Sequence, residues 1–202
     1  MSASSPTSRR LPLYREVDDA IDAFQRATGL GCPTGCGTCC ETQTPYVRIA
    51  DMAEIAEAHV ARGVDVGEAT LERARAAGAA RPCVIFEKGR LPGGCTEYAL
   101  RPMLCRLFGF GGVRDKHGAA ELAVCRVHKA ETPEAAARAA AFVAGGGAVP
   151  MMADWQSAAD ASTDDHDARL LPINEALALA LERALLRAHY ADSAANASRS
   201  DG

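Results

Sequence analysis

The sequence has little aromatic character, no marked excess of either charge, and no long apolar run. Aromatic residues make up 5% of its 202 residues, which favours helices packed through small side chains over an aromatic-rich sheet sandwich. The formal net charge is −4, so bulk electrostatics do not attract nucleic acid. We therefore expect a mainly helical protein with no nucleic-acid partner.

The sequence also shows neither a membrane-spanning apolar run nor a secretory signal. No stretch approaches the roughly twenty apolar residues that a membrane-spanning helix needs. Arg9 and Arg10 are not followed by the apolar segment of a secretory signal. We expect a cytoplasmic protein that does not contact membranes. Because thiols stay reduced in the cytoplasm, clustered cysteines there are more typical of metal-binding or catalytic sites than of disulfides.

Cysteine, by contrast, is abundant, and half of it is concentrated in one loop. Four of the eight cysteines lie in GCPTGCGTCC, residues 31–40, which we call the cysteine loop. Within it, Cys36 and Cys39 have the C-x2-C spacing that lets two thiolates reach one metal ion. The neighbouring Cys39 and Cys40 point to opposite sides if the chain is extended there. The loop therefore either contributes to two centres or leaves one thiol unligated.

The four other cysteines are spread along the chain, and the fold would have to bring them to the cysteine loop. Because thiolates are preferred ligands of zinc and of iron–sulfur clusters, we treat every cysteine as a candidate metal ligand. The candidates are Cys32, Cys36, Cys39, Cys40, Cys83, Cys95, Cys105 and Cys125.

A second informative segment is GCTEYALRPMLCRLFGF, residues 94–110. Pro102 is well placed to open a helix, which would put Cys105 in the first turn of that helix. The unpaired N–H groups and the dipole of a first turn stabilise a thiolate by about 0.3–1 kcal/mol. The segment therefore predicts a ligand at a helix start.

The residues around this cysteine suit a negatively charged thiolate centre. Arg101 and Arg106 flank it and would offset the charge, and Tyr98 would donate a hydrogen bond to a sulfur. Phe108 and Phe110 would keep water away. We therefore predict that Tyr98, Arg101 and Arg106 contact the cofactor.

Together these motifs resemble a known family. A C-x3-C-x2-C-C turn, a later C-x2-F and the run C-x2-Y-x2-R-P-x2-C-R-x-F resemble the YkgJ-type cysteine-cluster family, also called the CxxCxxCC domain. The resemblance covers roughly residues 30–128, about half of the chain. It implies chelation of zinc or iron by thiolates, and in some relatives, such as flagellin lysine methylase, an iron–sulfur cluster, which 4Fe–4S would represent here. The matching residues are Cys32, Cys36, Cys39, Cys40, Cys83, Phe86, Cys95, Tyr98, Arg101, Pro102, Cys105, Arg106 and Phe108.

The predicted architecture is mainly α with a small β-hairpin, in which helices wrap a compact Cys-rich metal-binding core. We expect a cysteine-cluster domain over 13–150 and a C-terminal helical extension over 151–191 that packs on the same core. Disordered tails are expected over 1–12 and 192–202. Apolar periodicity and capping signals predict the individual elements. These are helices over 14–28, from Asp51, over 67–79, 132–144 and 172–190, a strand over 82–87, a hairpin around 115–118 and an acidic loop over 157–168.

The histidines give weaker signals than the cysteines. His128 follows Cys125 with C-x2-H spacing and is a possible nitrogen ligand, but we interpret it as a solvated residue. Cys125 lies in the apolar run AELAVCRV, where packing in the core is as good an interpretation as ligation. His166 lies among three aspartates, which we interpret as a solvated loop. The sequence contains no phosphate-binding glycine loop, HExxH pair or serine elbow.

The function that these patterns favour is metal binding, in which the cysteines chelate zinc, iron or an iron–sulfur cluster. One alternative is an enzyme that uses an iron–sulfur cluster for redox chemistry or protein modification. Another is an interaction module with a structural zinc. The sequence identifies no protein partner and no substrate.

Overall fold

The computed structural model describes residues 10–80, 82–162 and 169–200, which are mainly helical as predicted. The strands form two small antiparallel sheets. Over these residues no helix combines the length and the apolarity that crossing a bilayer requires. In chain order the elements are α1 (Arg10–Thr28), α2 (Thr38–Thr42), β1 (Tyr46–Val47), a 3-10 helix (Ile49–Met52), α3 (Ala53–Arg62), α4 (Val64–Ala77), a 3-10 helix (Tyr98–Leu100), α5 (Met103–Leu107), β2 (Gly112–Arg114), β3 (Ala120–Leu122), α6 (Arg126–Glu131), α7 (Pro133–Ala144), α8 (Met152–Ala161), β4 (Leu171–Pro172) and α9 (Ile173–Ser200).

The chain divides into two compact units, each made from two stretches of sequence. The first unit comprises the described residues of Met1–Cys39 and Glu87–Asp164, and the second unit those of Cys40–Phe86 and Asp165–Gly202. Six cysteines belong to the first unit. The predicted domain boundaries, at residues 13, 150 and 191, remain predictions.

The core of the first unit is built on α1. Tyr14, Val17, Ile21 and Phe24 recur every three or four residues and are at most 7% exposed. This face packs against α5, α7 and α8, and the alanines of α7 allow close approach. Burial of each large apolar side chain contributes about 1.5–3 kcal/mol.

A hairpin extends the first unit, at the predicted position. Strands β2 and β3 pair with Gly112 opposite Leu122. The carboxylate of Asp115 closes the turn, accepting hydrogen bonds from the N–H groups of His117 at 2.8 Å and Ala119 at 2.9 Å. The hairpin and the turn after it lead the chain back towards α6.

The second unit is formed by α3, α4 and α9, which pack on one another. Ile173, Leu177 and Leu181 of α9 supply the central apolar stripe and are at most 4% exposed. The short strands β1 and β4 pair antiparallel at the start of α9, with Tyr46 opposite Pro172.

The strand predicted over 82–87 is wrong, because Pro82 lies in a bend, Val84 and Ile85 form a turn, and within this range Phe86 alone makes a β-bridge. The carbonyl of Cys83 accepts a hydrogen bond from the N–H of Phe86 at 2.9 Å. The buried side chain of Asn174 accepts a hydrogen bond from the N–H of Val84 at 3.0 Å and donates one to the carbonyl of Ala80 at 3.0 Å. A side-chain amide therefore satisfies the backbone groups that a neighbouring strand would otherwise pair.

The C-terminal elements also differ from the predictions. Residues 157–161, expected to open a loop, belong to α8, and α9 continues past Tyr190 to Ser200, through most of the expected tail. The predicted acidic site around His166 and the start of the predicted N-terminal tail lie outside the described residues.

A Cys-rich core is not seen. The hydrophobic core of the first unit contains no cysteine in the ranges described, and the six cysteines of that unit are exposed or half-buried. The α1 face and the alanines of α7 fill the interior, which leaves the thiols on loops and helix ends.

Candidate metal centre

The cysteine loop begins at a fixed point of the first unit. At the end of α1, the hydroxyl of Thr28 donates a hydrogen bond to the carbonyl of Phe24 at 2.8 Å and accepts one from the N–H of Leu30 at 3.3 Å. The side chain of Leu30 is 1% exposed and belongs to the core. Cys32 is therefore held two residues from a core anchor.

The segment that carries Cys95 lies directly against the cysteine loop. Gly93 has φ +71°, and a Cβ atom built on it would lie 3.3 Å from the carbonyl oxygen of Cys36 and 3.1 Å from the ring of Tyr98. Both the left-handed backbone and this close approach favour glycine. The absence of a side chain at position 93 therefore lets the two cysteine-bearing segments meet.

Several thiols surround Cys32. The residue as a whole is exposed, but burial of its sulfur and the neighbouring thiols of Cys36, Cys125 and Cys39, in that order, raise its pKa to about 12. The pKa of Cys95 is raised as well, chiefly by burial and to a smaller extent by the Glu97 carboxylate and then by Cys39, while a backbone hydrogen bond from Glu97 acts in the opposite direction. The structure thus brings together five thiols from three segments, which we call the thiol cluster: Cys32, Cys36, Cys39, Cys95 and Cys125.

Arg101 supplies positive charge to this cluster. Its guanidinium acts to lower the pKa of both Cys32 and Cys95, against the larger effect of burial. The guanidinium lies 3.4 Å from the centre of the Tyr98 ring, and its Nε donates to the Tyr98 carbonyl at 2.9 Å. Tyr98 therefore positions Arg101, while its predicted hydrogen bond to a sulfur remains a prediction.

Arg106 has a different environment from the one predicted. Its side chain is 1% exposed, and it donates hydrogen bonds to Asp18, to the carbonyl of Ala99 and, at 2.9 Å, to the carbonyl of Arg101. Its guanidinium also lies 4.3 Å from the centre of the Tyr14 ring. These contacts tie the segment before α5 to α1, so Arg106 positions Arg101 through the backbone. Its predicted contact with the cofactor remains a prediction.

The interpretation of His128 as a solvated residue is wrong, because its side chain is 0% exposed. Its Nε2 lies 3.5 Å from the sulfur of Cys32, and its backbone N–H donates to the sulfur of Cys125 at 3.4 Å. Its Nδ1 is buried and has no hydrogen-bond partner of normal geometry. Burial lowers the pKa of His128, with a backbone group of Gly109 acting in the opposite direction, so the neutral imidazole is favoured. The C-x2-H spacing was the available signal, but the spacing alone does not reveal burial.

The two phenylalanines differ in position. The ring of Phe110 is 8% exposed and packs against the ring of His128, with 5.3 Å between the ring centres. Phe108 is 38% exposed. Phe110 therefore covers the His128 ring, while the shielding of the Cys105 centre by both rings remains a prediction.

The remaining candidate ligands lie at other positions in the fold. Cys105 lies in the first turn of α5, as predicted from Pro102, and its side chain is half-buried. The helix itself has only five residues. Cys40 on α2 is half-buried, and Cys83 is 7% exposed in the turns held by Asn174. Both of these belong to the second unit. The roles of these three cysteines as ligands remain predictions.

The donors of the first unit suit a thiophilic metal. All eight cysteines lie in the described part of the chain, and none of them forms a disulfide. Among the residues described, no three Cys, His, Asp or Glu side chains have the arrangement of a complete metal site. The donor types are nevertheless the soft thiolates and imidazole that zinc and iron–sulfur centres use, and the site residues therefore fit such a group.

Comparison with known proteins agrees with this donor set. The model of the CxxCxxCC family, described as a zinc- or iron-chelating domain, matches residues 31–136, which is more than half of the chain and includes all eight cysteines. Neither the curated proteins nor the solved structures gave a match. The resemblance inferred from the cysteine and arginine motifs is thus confirmed. The chain belongs to the CxxCxxCC family, to which the chelation of zinc or iron is attributed.

Proposed function

We propose that the protein chelates zinc or iron through the thiolates of the thiol cluster. The observation that carries this proposal is the convergence of the cysteine loop and Cys125 around Cys32, where three neighbouring thiols raise the pKa of Cys32 and the His128 Nε2 lies 3.5 Å from its sulfur. Like charges at short range prevent all the thiols from ionising together, and a bound cation removes that penalty. A metal ion is therefore the natural counter-charge for the cluster.

Arg101 supports the same proposal. Its guanidinium acts to lower the pKa of both Cys32 and Cys95, and the ring of Tyr98 holds it in place. A thiolate centre with a net negative charge is stabilised by a cation and by donors in its surroundings. Arg101 meets this requirement without occupying a ligand position.

The exposure of the cysteines favours chelation over a sealed structural zinc. Structural zinc sites are closed and four-coordinate. The thiol-cluster residues are instead half-buried, and Cys32 is exposed. Solvent contact of this kind allows a metal ion to enter and leave.

The test is metal analysis of protein purified without oxygen, together with its visible spectrum. We expect bound zinc in a colourless protein or iron in a brown protein with thiolate charge-transfer absorption. Cys39→Ser removes the thiol that raises the pKa of both Cys32 and Cys95. We expect this variant to bind the metal more than ~100-fold more weakly, which exceeds the loss typical of an outer-sphere partner.

Cys83→Ala is the comparison variant, because Cys83 lies in the second unit. Retention of metal in this variant would agree with a site made by the thiol cluster, whereas a loss as large as that of Cys39→Ser would contradict it. A wild-type protein that binds neither zinc nor iron would refute the proposal.

A further inference from the structure

His128 is fully buried, and its Nδ1 has no hydrogen-bond partner of normal geometry, although a backbone group of Gly109 raises its pKa against the effect of burial. The ring is nevertheless held firmly, since Phe110 packs on it and a Cβ atom at Gly109 would lie 3.2 Å from its Cε1. These contacts hold the imidazole in one orientation and therefore fix the direction in which its Nε2 points.

That other nitrogen faces a thiol at the spacing of two ligands on one ion. Nε2 of His128 lies 3.5 Å from the sulfur of Cys32. With Zn–S near 2.3 Å and Zn–N near 2.05 Å, two ligands at a tetrahedral angle are about 3.6 Å apart. The pair therefore matches one edge of a tetrahedral site before any metal is added.

Cys125 lies beside the same pair. Its sulfur accepts the N–H of His128 at 3.4 Å, and N–H···S hydrogen bonds of this type are common around metal-bound thiolates. The Cys125 thiol also raises the pKa of Cys32. One short segment thus supplies a sulfur and a nitrogen that both approach Cys32.

We propose that His128 is a metal ligand, and that its Nε2 binds the ion held by Cys32 and Cys125. The centre is then a mixed nitrogen–sulfur site and not an all-thiolate one. This inference rests on the proposed function and specifies the donor set of the same site.

The experiment titrates Co²⁺ and then Zn²⁺ into the full-length protein under anaerobic, reducing conditions. Co²⁺ reports its ligands, because its d–d bands shift when nitrogen replaces sulfur and its charge-transfer band gains intensity with each thiolate. We expect His128→Gln to weaken binding by more than ~100-fold, beyond the ~10–100-fold typical of an outer-sphere partner, and to shift the d–d bands.

His59→Gln is the matched control. His59 is also a buried histidine, 5% exposed, but it lies in the second unit and its Nδ1 pairs with the hydroxyl of Thr70 at 2.9 Å. We expect this variant to keep the wild-type affinity and spectrum.

His128→Cys decides the question if His128→Gln does not fold. A cysteine ligand at this position would retain the metal and strengthen the charge-transfer band. Unchanged affinity and d–d bands in His128→Gln, or no gain of charge transfer in His128→Cys, would overturn the inference and leave the proposed function standing. A wild-type protein that binds neither ion would instead refute the proposed function.

Discussion

At the scale of single residues, the chemistry of the thiol cluster depends on how readily Cys32 loses its proton. Burial and three neighbouring thiols raise its pKa to about 12, whereas an unfolded cysteine ionises near pH ~8.5. Between these values the metal-free folded protein keeps a proton that the unfolded chain has lost. Its stability therefore falls as the pH rises through this interval, and a metal ion that binds Cys32 must displace the proton.

We predict that Cys32 of the metal-free folded protein reacts with iodoacetamide at a rate still rising steeply between about pH 10 and 11, because the thiolate is the reactive form. Peptide mass spectrometry of the modified residue measures this rate. The same chain unfolded in urea is the control, with a half-maximal rate expected near pH ~8.5. Coincident pH profiles for the folded and unfolded chains would contradict the assignment.

At the scale of elements, Arg106 links two helices of the first unit. It extends from α5 to Asp18 on α1 and also holds the carbonyls of Ala99 and Arg101. Arg101 is the cation that lowers the pKa of Cys32 in the thiol cluster. The hydrogen bond from Arg106 to the Arg101 carbonyl therefore helps to determine where this charge lies. The packing of α5 against α1 therefore helps to fix the positive charge that stabilises the thiolates.

We predict that Arg106→Ala lowers the free energy of unfolding by about 3 kcal/mol, because it leaves two carbonyls and Asp18 without their donor. Urea unfolding followed by circular dichroism measures the loss. Arg75→Ala is the control, since Arg75 pairs with Glu182 at 2.8 Å while both side chains are well exposed, and a change below about 1 kcal/mol is expected there. Equal losses of unfolding free energy in the two variants would show that the Arg106 contacts stabilise the fold no more than an exposed ion pair does.

The elements that could be predicted from the sequence are those set by local spacing. The buried face of α1 follows from Val17, Ile21 and Phe24, and the β2–β3 hairpin follows from the turn chemistry of Asp115. The turns at 82–87 could not be predicted, because the backbone there is satisfied by Asn174, about ninety residues away.

The same distinction holds for the candidate site. The cysteine loop and Arg101 could be identified from motifs, since spacing alone suggests ligands and a counter-charge. His128 could not, because its burial and its approach to Cys32 arise from packing between residues 96 positions apart. The paired state of Arg106 likewise depends on Asp18, which no local pattern connects to it.

At the scale of the whole molecule, all five members of the thiol cluster belong to the first unit, whereas the helices α3, α4 and α9 form the second. A ligand that binds only the folded form stabilises the part of the protein that makes its site. Metal binding should therefore affect the two units unequally.

We predict that zinc at about 100 times its Kd protects first-unit amides around residues 30–38 and 93–110 from hydrogen exchange by up to about 2.7 kcal/mol. Mass spectrometry of peptides with and without zinc measures the change. Peptides from α3 and α4 are the internal control and should exchange as before. Equal protection of both units, or none in the first, would contradict the prediction.

The separation of Cys32 and His128 by 96 positions has a consequence for the making of the protein. At roughly 5–20 residues per second, the ribosome needs about 5–20 s to reach the histidine after it has added the first cysteine of the cluster. During that delay the nascent thiols face oxidants and passing ions without their nitrogen partner. An ion captured then would be held by sulfur alone, and its final coordination would form only when translation passes α6.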